Sequence, residues 1–306
     1  MEADRNAGNT HRRILHRLRD RHWPYGCLVI LDRARKIAGR FRRHRSTFWG
    51  PPGVTWQVIS SHDGHSWSGR TVLVTGAAGE LGKATVDALV QRGARVHAAD
   101  RDEATLTVLA RRHGERVVPH LADLSVQSSI EQLALDLSHQ ESSIDALIHC
   151  VGHNTYPSSS QPIPADEWQG VLADNLIAPA LMSQSLLPLL GRVPASGVVM
   201  VTSINGRISS PWPHYAAAKA GLSKLTRDLA FQFAPHGVRV NAVAPGWFVG
   251  PDTHDGPTPD RSATLTAVAS PVAAIVHAVL FLADPALSPC TTGQELAVDA
   301  GTELNA

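Results

Sequence analysis

In the run SINGRISSPWPHYAAAKAG, residues 203–221, Tyr215 stands four residues before Lys219, and Ser203 stands twelve residues before Tyr215. A phenol with an ordinary pKa of ~10 is a poor base at neutral pH. Residues i and i+4 share a helix face, so an ammonium at Lys219 would favour the phenolate of Tyr215 and make it a usable acid/base. Ser203 follows the apolar run GVVMVT and would stand at the carboxyl end of a strand. From there its hydroxyl could donate to a substrate oxygen as charge develops. Taken alone, Tyr-x-x-x-Lys fits equally a plain helix with a half-buried Tyr and a solvated Lys, so the rest of the chain must decide.

A second constellation lies upstream. The apolar run TVLVT, 71–75, leads into TGAAGELG, 75–82, and then into a helical pattern. Gly76, Gly79 and Gly82 allow a tight turn, close backbone approach to a pyrophosphate and close packing of helix on strand, while the helix start at Glu80 and Leu81 offers free N–H groups to the anion. Asp100 closes the second strand eighteen residues after Gly82. An aspartate there accepts hydrogen bonds from both hydroxyls of an adenosine ribose and repels a 2′-phosphate, which favours NAD over NADP. Arg101 is the opposing feature, since its guanidinium could receive that phosphate.

These groups need a scaffold that gathers distant stretches, and the chain from Trp67 onward has the pattern of one. Short apolar runs alternate with helical patterns: TVLVT then 80–92, RVHAAD then 103–112, RVVPHLAD then 128–139, and IDALIHCVG then 165–190. GVVMVTS then 214–235, VRVNAVAP then 271–283, and QELAVD complete the series. Near-continuous apolar strands separated by helices require a parallel sheet buried on both faces. The fold expected is α/β: a doubly wound parallel sheet of Rossmann type in three layers, with ligands at the carboxyl ends of its strands.

Residues 1–66 differ in kind. Residues 1–50 carry thirteen Lys/Arg against four Asp/Glu, and the remaining chain fifteen against twenty-three. The first part reads as a basic, poorly ordered arm and turn-rich linker, and 67–306 as the catalytic domain. The arm has no zinc, helix-turn-helix or aromatic-platform signature, so no specific nucleic acid is expected. Weak attraction to an anionic surface is the remaining role for its charge. Cys27, Cys150 and Cys290 are too few and too scattered for a disulfide framework. His62/His65 and His149/His153 are the candidate metal pairs, but the second straddles a strand end and the VGHN turn, so helical spacing does not align its rings, and no metal is expected. Without an apolar run long enough to span a bilayer, the expected location is the cytoplasm.

With the glycine turn, Asp100, Ser203 and the Tyr215/Lys219 pair in view, residues 67–306 resemble the compact single-domain branch of the short-chain dehydrogenase/reductase family. Further motifs follow in family order: ADLS with Asp123, HCVG with Gly152, DNLIAPA with Asn175, RVNAVAPG with Pro245 and Gly246, and TTGQELAVDAG. The resemblance implies hydride transfer between a nicotinamide and an alcohol or ketone, with Tyr215 as acid/base, Lys219 activating it and Ser203 polarising the substrate oxygen. It implies that Asn175 holds a water linking Lys219 to solvent. Asn175 also has the plainer reading of a polar residue bonding a local helix carbonyl.

By the same resemblance Asp123 and Leu124 flank the adenine, and Val151 and Gly152 form the cofactor floor beside the ribose. Pro245, Gly246 and Phe248 close over the nicotinamide, and Tyr215 and Lys219 bond its ribose. A homodimer or homotetramer joined through 165–190 and 214–235 is implied as well. The rival reading is a catalytically silent nucleotide-binding scaffold of the same fold that uses its basic arm to engage a partner.

The chain departs from the family pattern in several places. Glu80 stands where glycine is commoner, and its side chain is expected to face solvent, away from the pyrophosphate. HCVG replaces Asn-Asn-Ala-Gly, which is expected to weaken cross-linking of the sheet. The twelve-residue spacing from Ser203 to Tyr215 is one short. Gly250 stands where a threonine usually meets the carboxamide, with Thr253 the nearest substitute. A shortened lid implies a more open or smaller substrate pocket, with Trp212, Trp247 and Phe248 as candidate walls.

Overall fold

The computed structural model describes residues 66–155, 162–249 and 270–305, with Leu265 and a two-stranded pair, Phe48–Trp49 with Thr55–Trp56. The expectations for the basic arm, for His62/His65 and for Gly250 and Thr253 lie outside the described residues. A seven-stranded, all-parallel sheet is built from β1 (Thr71–Thr75), β2 (Arg95–Asp100), β3 (Val117–Leu121), β4 (Ala146–His149), β5 (Gly197–Val201), β6 (Arg239–Pro245) and β7 (Glu295–Val298). Its spatial order is β7-β6-β5-β4-β1-β2-β3, so the winding direction reverses between β1 and β4. A crevice for a ligand opens at that switch, outside the strands' carboxyl ends.

Alternation along each strand divides the core into two layers. Val72 and Val74 of β1, Val96 and Ala98 of β2 and Ile148 of β4 pack beneath α1 (Glu80–Gln91), α2 (Glu103–His113) and α7 (Val272–Ala283). Leu73, Leu147, Val198, Met200 and Val240 face the other way, beneath α3 (Gln127–Gln140), α5 (Ala178–Leu190) and α6 (Pro213–Phe233). The helix expected as one unit over 165–190 is interrupted: α4 (Ala165–Leu172) passes through a π-helical turn at Ala173–Ile177 before α5 begins. Such bulges re-aim a side chain, and Asn175 sits in this one.

Local chemistry sets the helix ends. The Asp102 side chain accepts from the Thr105 amide to open α2, whose last turn carries Arg111, Arg112 and His113 against the negative end of its dipole. Pro213 starts α6 where its missing N–H costs nothing. Arg239, only 5% exposed, closes α7 by donating to the carbonyls of Leu282 at 2.7 Å and Ala283 at 2.8 Å.

Three imidazoles stand on the strands, His97 and His149 buried and His120 half-buried, and burial disfavours the charged form of each. His149, fully buried, shares its two ring nitrogens between Thr75 Oγ1 and Ser183 Oγ, each at 3.0 Å, and so ties β4 to β1 and to α5. The expected loss of sheet cross-linking at HCVG is therefore corrected: one imidazole bridges two strands and a helix. Burial drives the His149 pKa down to about 3. His97 meets His120 at 2.8 Å and Glu141 at 2.9 Å. Burial, with the facing His97, pushes His120 down to about 4, and burial lowers His97 despite the opposing Glu141.

An unfolded chain takes up protons on these rings near pH 6.5 while the folded chain takes them up only at lower pH, so stability is full above that pH and falls as pH drops below it. At pH 5, His149 alone should cost about 2 kcal/mol. Thermal unfolding should shift to clearly lower temperature between pH 7 and pH 5, a window above the range in which carboxylates titrate. Equal melting temperatures at the two pH values would contradict neutral burial.

Candidate active site

A groove of about 310 Å³ opens at the carboxyl ends of β1 to β4. Of the residues expected to hold a dinucleotide, Gly76, Gly79, Asp100, Arg101, Asp123, Leu124, Val151 and Gly152 line it. Gly76 has φ of +68°, and a Cβ there would lie 2.6 Å from the Val151 amide nitrogen, so only glycine lets the turn after β1 seat against the end of β4. Gly79 borders open space, with its nearest neighbour 3.4 Å from a notional Cβ. Gly82 is buried, and a Cβ there would fall 2.0 Å from the Gly76 carbonyl oxygen: this glycine sets how closely α1 approaches the turn.

Glu80, Leu81 and Gly82 stand behind the groove rather than on its wall. Glu80 is half-buried with Oε1 shut off from solvent, which corrects the expectation that it faces outward. In the first turn of α1 a carboxylate is favoured by the helix dipole, which offsets part of the cost of covering it. Leu81 belongs to the apolar core. Pro245 is buried at the end of β6, Gly246 donates to the Val298 carbonyl, and Phe248 packs on the core, so none of the three touches the groove.

Asp100 accepts from the amide of Ala78 at 2.9 Å on one oxygen and from that of Asp102 at 3.1 Å on the other. It thereby fixes the glycine turn against β2, and each oxygen keeps a lone pair for a further donor. Asp123 accepts from both the amide and the hydroxyl of Ser125, which, with the charge of Arg101, hold its carboxyl below the usual range. Asp123 is thus a turn former as well as a wall of the groove.

Lys219 is 1% exposed, against the solvated lysine that its motif alone allows. Its Nζ donates to Val201 O at the end of β5 at 2.9 Å and to Val151 O after β4 at 3.3 Å, and lies 5.6 Å from the centre of the half-buried Tyr215 ring. Burial drives the ammonium down to about 7, opposed by the facing Cys150. A proton on Lys219 is therefore exchangeable at neutral pH. Ser203 is buried, and its hydroxyl accepts from the Asn205 amide at 3.2 Å, starting the 3-10 turn Ile204–Gly206 that takes up the short spacing to Tyr215.

Asn175 is fully buried, and its Nδ2 donates to Val171 O at 2.9 Å and His153 O at 2.7 Å while its Oδ1 accepts from the His153 amide. The local helix carbonyl does claim this side chain, but so does the loop after β4. Of the three candidate pocket aromatics, Trp247 is 46% exposed, Trp212 is half-buried and Phe248 packs inward.

Sequence reasoning missed His153 and Asp174, which both line the groove and meet at 3.0 Å through His153 Nδ1. It also missed Cys150, another groove residue, whose thiol burial pushes up to about 12 and so keeps inert. The available signal was position: His153 follows Gly152 directly, and Asp174 precedes Asn175. A further polar chain, Glu167–Thr155–His214, runs beside Tyr215, with Thr155 Oγ1 2.9 Å from Glu167 and 2.8 Å from His214 Nε2. Among the described residues no cluster of His, Cys, Asp and Glu could hold a metal ion, and no helix is long and apolar enough to cross a membrane.

A family model described as enoyl-(acyl carrier protein) reductase matches residues 76–303, which span the groove, Ser203, Tyr215 and Lys219. The chain belongs to the short-chain dehydrogenase/reductase family. Other short-chain dehydrogenases/reductases are similar over most of their length. A tropinone reductase homologue of Arabidopsis thaliana is 30% identical over 80% of this chain and 96% of its own. The cis-4-hydroxycyclohexanecarboxylate dehydrogenase of Sinomonas cyclohexanicum is 32% identical over 78% and 98%. The crystal structure of gox2181 superposes with a TM-score of 0.72 at 29% identity, covering 78% of this chain and 97% of that one. As a short-chain dehydrogenase/reductase the chain is an oxidoreductase of a nicotinamide-using family.

Proposed function

We propose that this protein is an NAD-dependent oxidoreductase that transfers hydride between nicotinamide and an alcohol or ketone. The observation that carries the reading is Lys219 Nζ, fixed to a carbonyl of the groove wall and held 5.6 Å from the Tyr215 ring. The residues present fit a dinucleotide. At Gly79 the turn leaves room on the groove wall that a side chain would occupy, and Asp100 retains acceptor capacity for ribose hydroxyls. Arg101 lines the same groove and is the group through which NADP would gain a foothold.

When bound, the nicotinamide supplies the hydride acceptor or donor. In the oxidising direction Tyr215 accepts the hydroxyl proton of the alcohol as its carbon gives up hydride, and in the reducing direction Tyr215 returns a proton to the carbonyl oxygen. Lys219 steadies the phenolate and, with its proton exchangeable near neutral pH, passes charge onward. Asn175 holds the relay toward solvent by fixing the loop at His153. Ser203 donates to the substrate oxygen, which requires its hydroxyl to keep its proton while accepting from Asn205. A homodimer or homotetramer joined through 165–190 and 214–235 would cover Ile177, 50% exposed, and Phe231, 87% exposed.

A panel of alcohols and ketones assayed with both cofactors tests this reading. Turnover of at least one member with NAD at higher kcat/KM than with NADP is expected. Cofactor binding, seen as a change in NADH fluorescence, without turnover of any member would instead favour a silent scaffold.

A further inference from the structure

Ser203 follows β5 while the Tyr215/Lys219 pair rides on α6, and one largely covered carboxylate grips both stretches. Glu295 opens β7 in register with Ala242 of β6, and its side chain is 9% exposed. Its Oε1 accepts from Thr202 Oγ1 at 2.6 Å and from Ser223 Oγ at 2.5 Å. Thr202 sits between Val201, whose carbonyl receives Lys219, and Ser203. Ser223 lies one helical turn beyond Lys219 on α6. The other oxygen, Oε2, faces Arg207 at 3.9 Å, and Arg207 pairs with Glu303 at 2.9 Å.

We propose that Glu295 is a positioning residue, a carboxylate clamp that fixes Ser203 relative to Tyr215 and Lys219; this rests on the reading of those three as the reacting set. Each hydroxyl has a single proton and a second acceptor available. Thr202 Oγ1 lies 3.0 Å from Val243 O, and Ser223 Oγ lies 3.2 Å from Lys219 O. Removing the carboxylate therefore strands neither donor: each falls back on a backbone carbonyl, and the two elements lose their common tie. The cost appears in alignment rather than in stability, because a displacement of ~1 Å at a reacting group lowers rate by up to ~100-fold.

Glu295→Ala in the full chain is expected to lower kcat between ~10-fold and ~100-fold, with cofactor affinity and melting temperature close to wild type. Glu295→Gln keeps an Oε1 acceptor for both hydroxyls and turns its amide toward the partly exposed Arg207, so it should recover kcat to within about threefold. Ser223→Ala should act in the same direction and less than additively with Glu295→Ala, as groups sharing one contact do.

A second readout needs no substrate. In a chain with Tyr25 and Tyr156 changed to Phe, loosening Lys219 from Val201 should shift the midpoint at which Tyr215 phenolate absorbance appears, because the amine that faces the ring moves. Glu295→Ala should show this shift and Glu295→Gln should reverse it. A midpoint and a kcat both unmoved by Glu295→Ala overturn the clamp. So does a loss shared equally by Ala and Gln in step with melting temperature, which marks plain structural damage. If wild-type protein turns over nothing in the panel while the midpoint still moves, the proposed function fails and the clamp stands.

Discussion

Tyr215→Phe should lower kcat by about 10²- to 10⁴-fold, the span that a general acid/base supplies, while NADH binding stays near its wild-type strength. The substitution removes a single oxygen. The ring, half-buried near the start of α6, keeps its packing and stays 5.6 Å from Lys219 Nζ, so the place of Lys219 should not change. Without the hydroxyl, nothing else at that position can exchange a proton with the substrate oxygen. Ser203 is an unsuitable replacement, because its hydroxyl is engaged with the Asn205 amide and no basic side chain is bonded to it among the described residues. A fall in kcat and kcat/KM together, with cofactor binding intact, identifies an interaction made in the transition state. Turnover within threefold of wild type would remove Tyr215 from the chemistry and leave the Tyr215/Lys219 pair as packing.

The scaffold was legible because a doubly wound sheet writes itself in apolar runs. VLV in β1, ALI in β4 and VVMV in β5 are buried on both faces, as a parallel sheet covered by helices on each side requires. The groove was legible where backbone conformation is encoded by residue type, as at Gly76 with its positive φ. Contacts between side chains distant in sequence were not legible. His149 looked like a lost amide, yet its ring spans Thr75 and Ser183, 74 and 34 residues away. Lys219 gave no sign that two carbonyls would take it out of solvent, since carbonyls carry no residue identity. Glu295 read as one more polar residue of a closing motif, and only the fold brings it to Thr202, 93 residues distant, and to Ser223. His153 and Asp174 were invisible for the same reason: the π-helical turn that aims Asp174 at His153 is a property of helix geometry that the residues there do not announce.

Gly79→Ala and Gly82→Ala should separate two jobs that the glycine turn performs at once. At Gly79 the backbone has φ of −68° and ψ of 165°, which alanine adopts freely, and a methyl would meet its nearest neighbour at 3.4 Å, an ordinary contact. Melting temperature should therefore be unchanged. The methyl would, however, stand in the groove where the diphosphate of a dinucleotide is proposed to lie, so NADH affinity should fall by about tenfold or more, the equivalent of ~1.4 kcal/mol. At Gly82 the methyl would fall 2.0 Å from the Gly76 carbonyl oxygen and 2.8 Å from Ala77 Cα. Both are backbone atoms that cannot swing aside. The gain from placing alanine in a helix is at most ~1 kcal/mol, whereas forcing α1 away from the turn costs ~3 kcal/mol or more. Gly82→Ala should thus lower the melting temperature and abolish NADH binding together, because the turn through Gly76 and Gly79 that lines the groove is displaced with it. Thermal unfolding and NADH fluorescence on the two variants decide the matter. Wild-type affinity in Gly79→Ala would mean that the diphosphate does not pass this turn, and wild-type melting in Gly82→Ala would mean that α1 does not pack as closely on Gly76 as the distance of 2.0 Å requires.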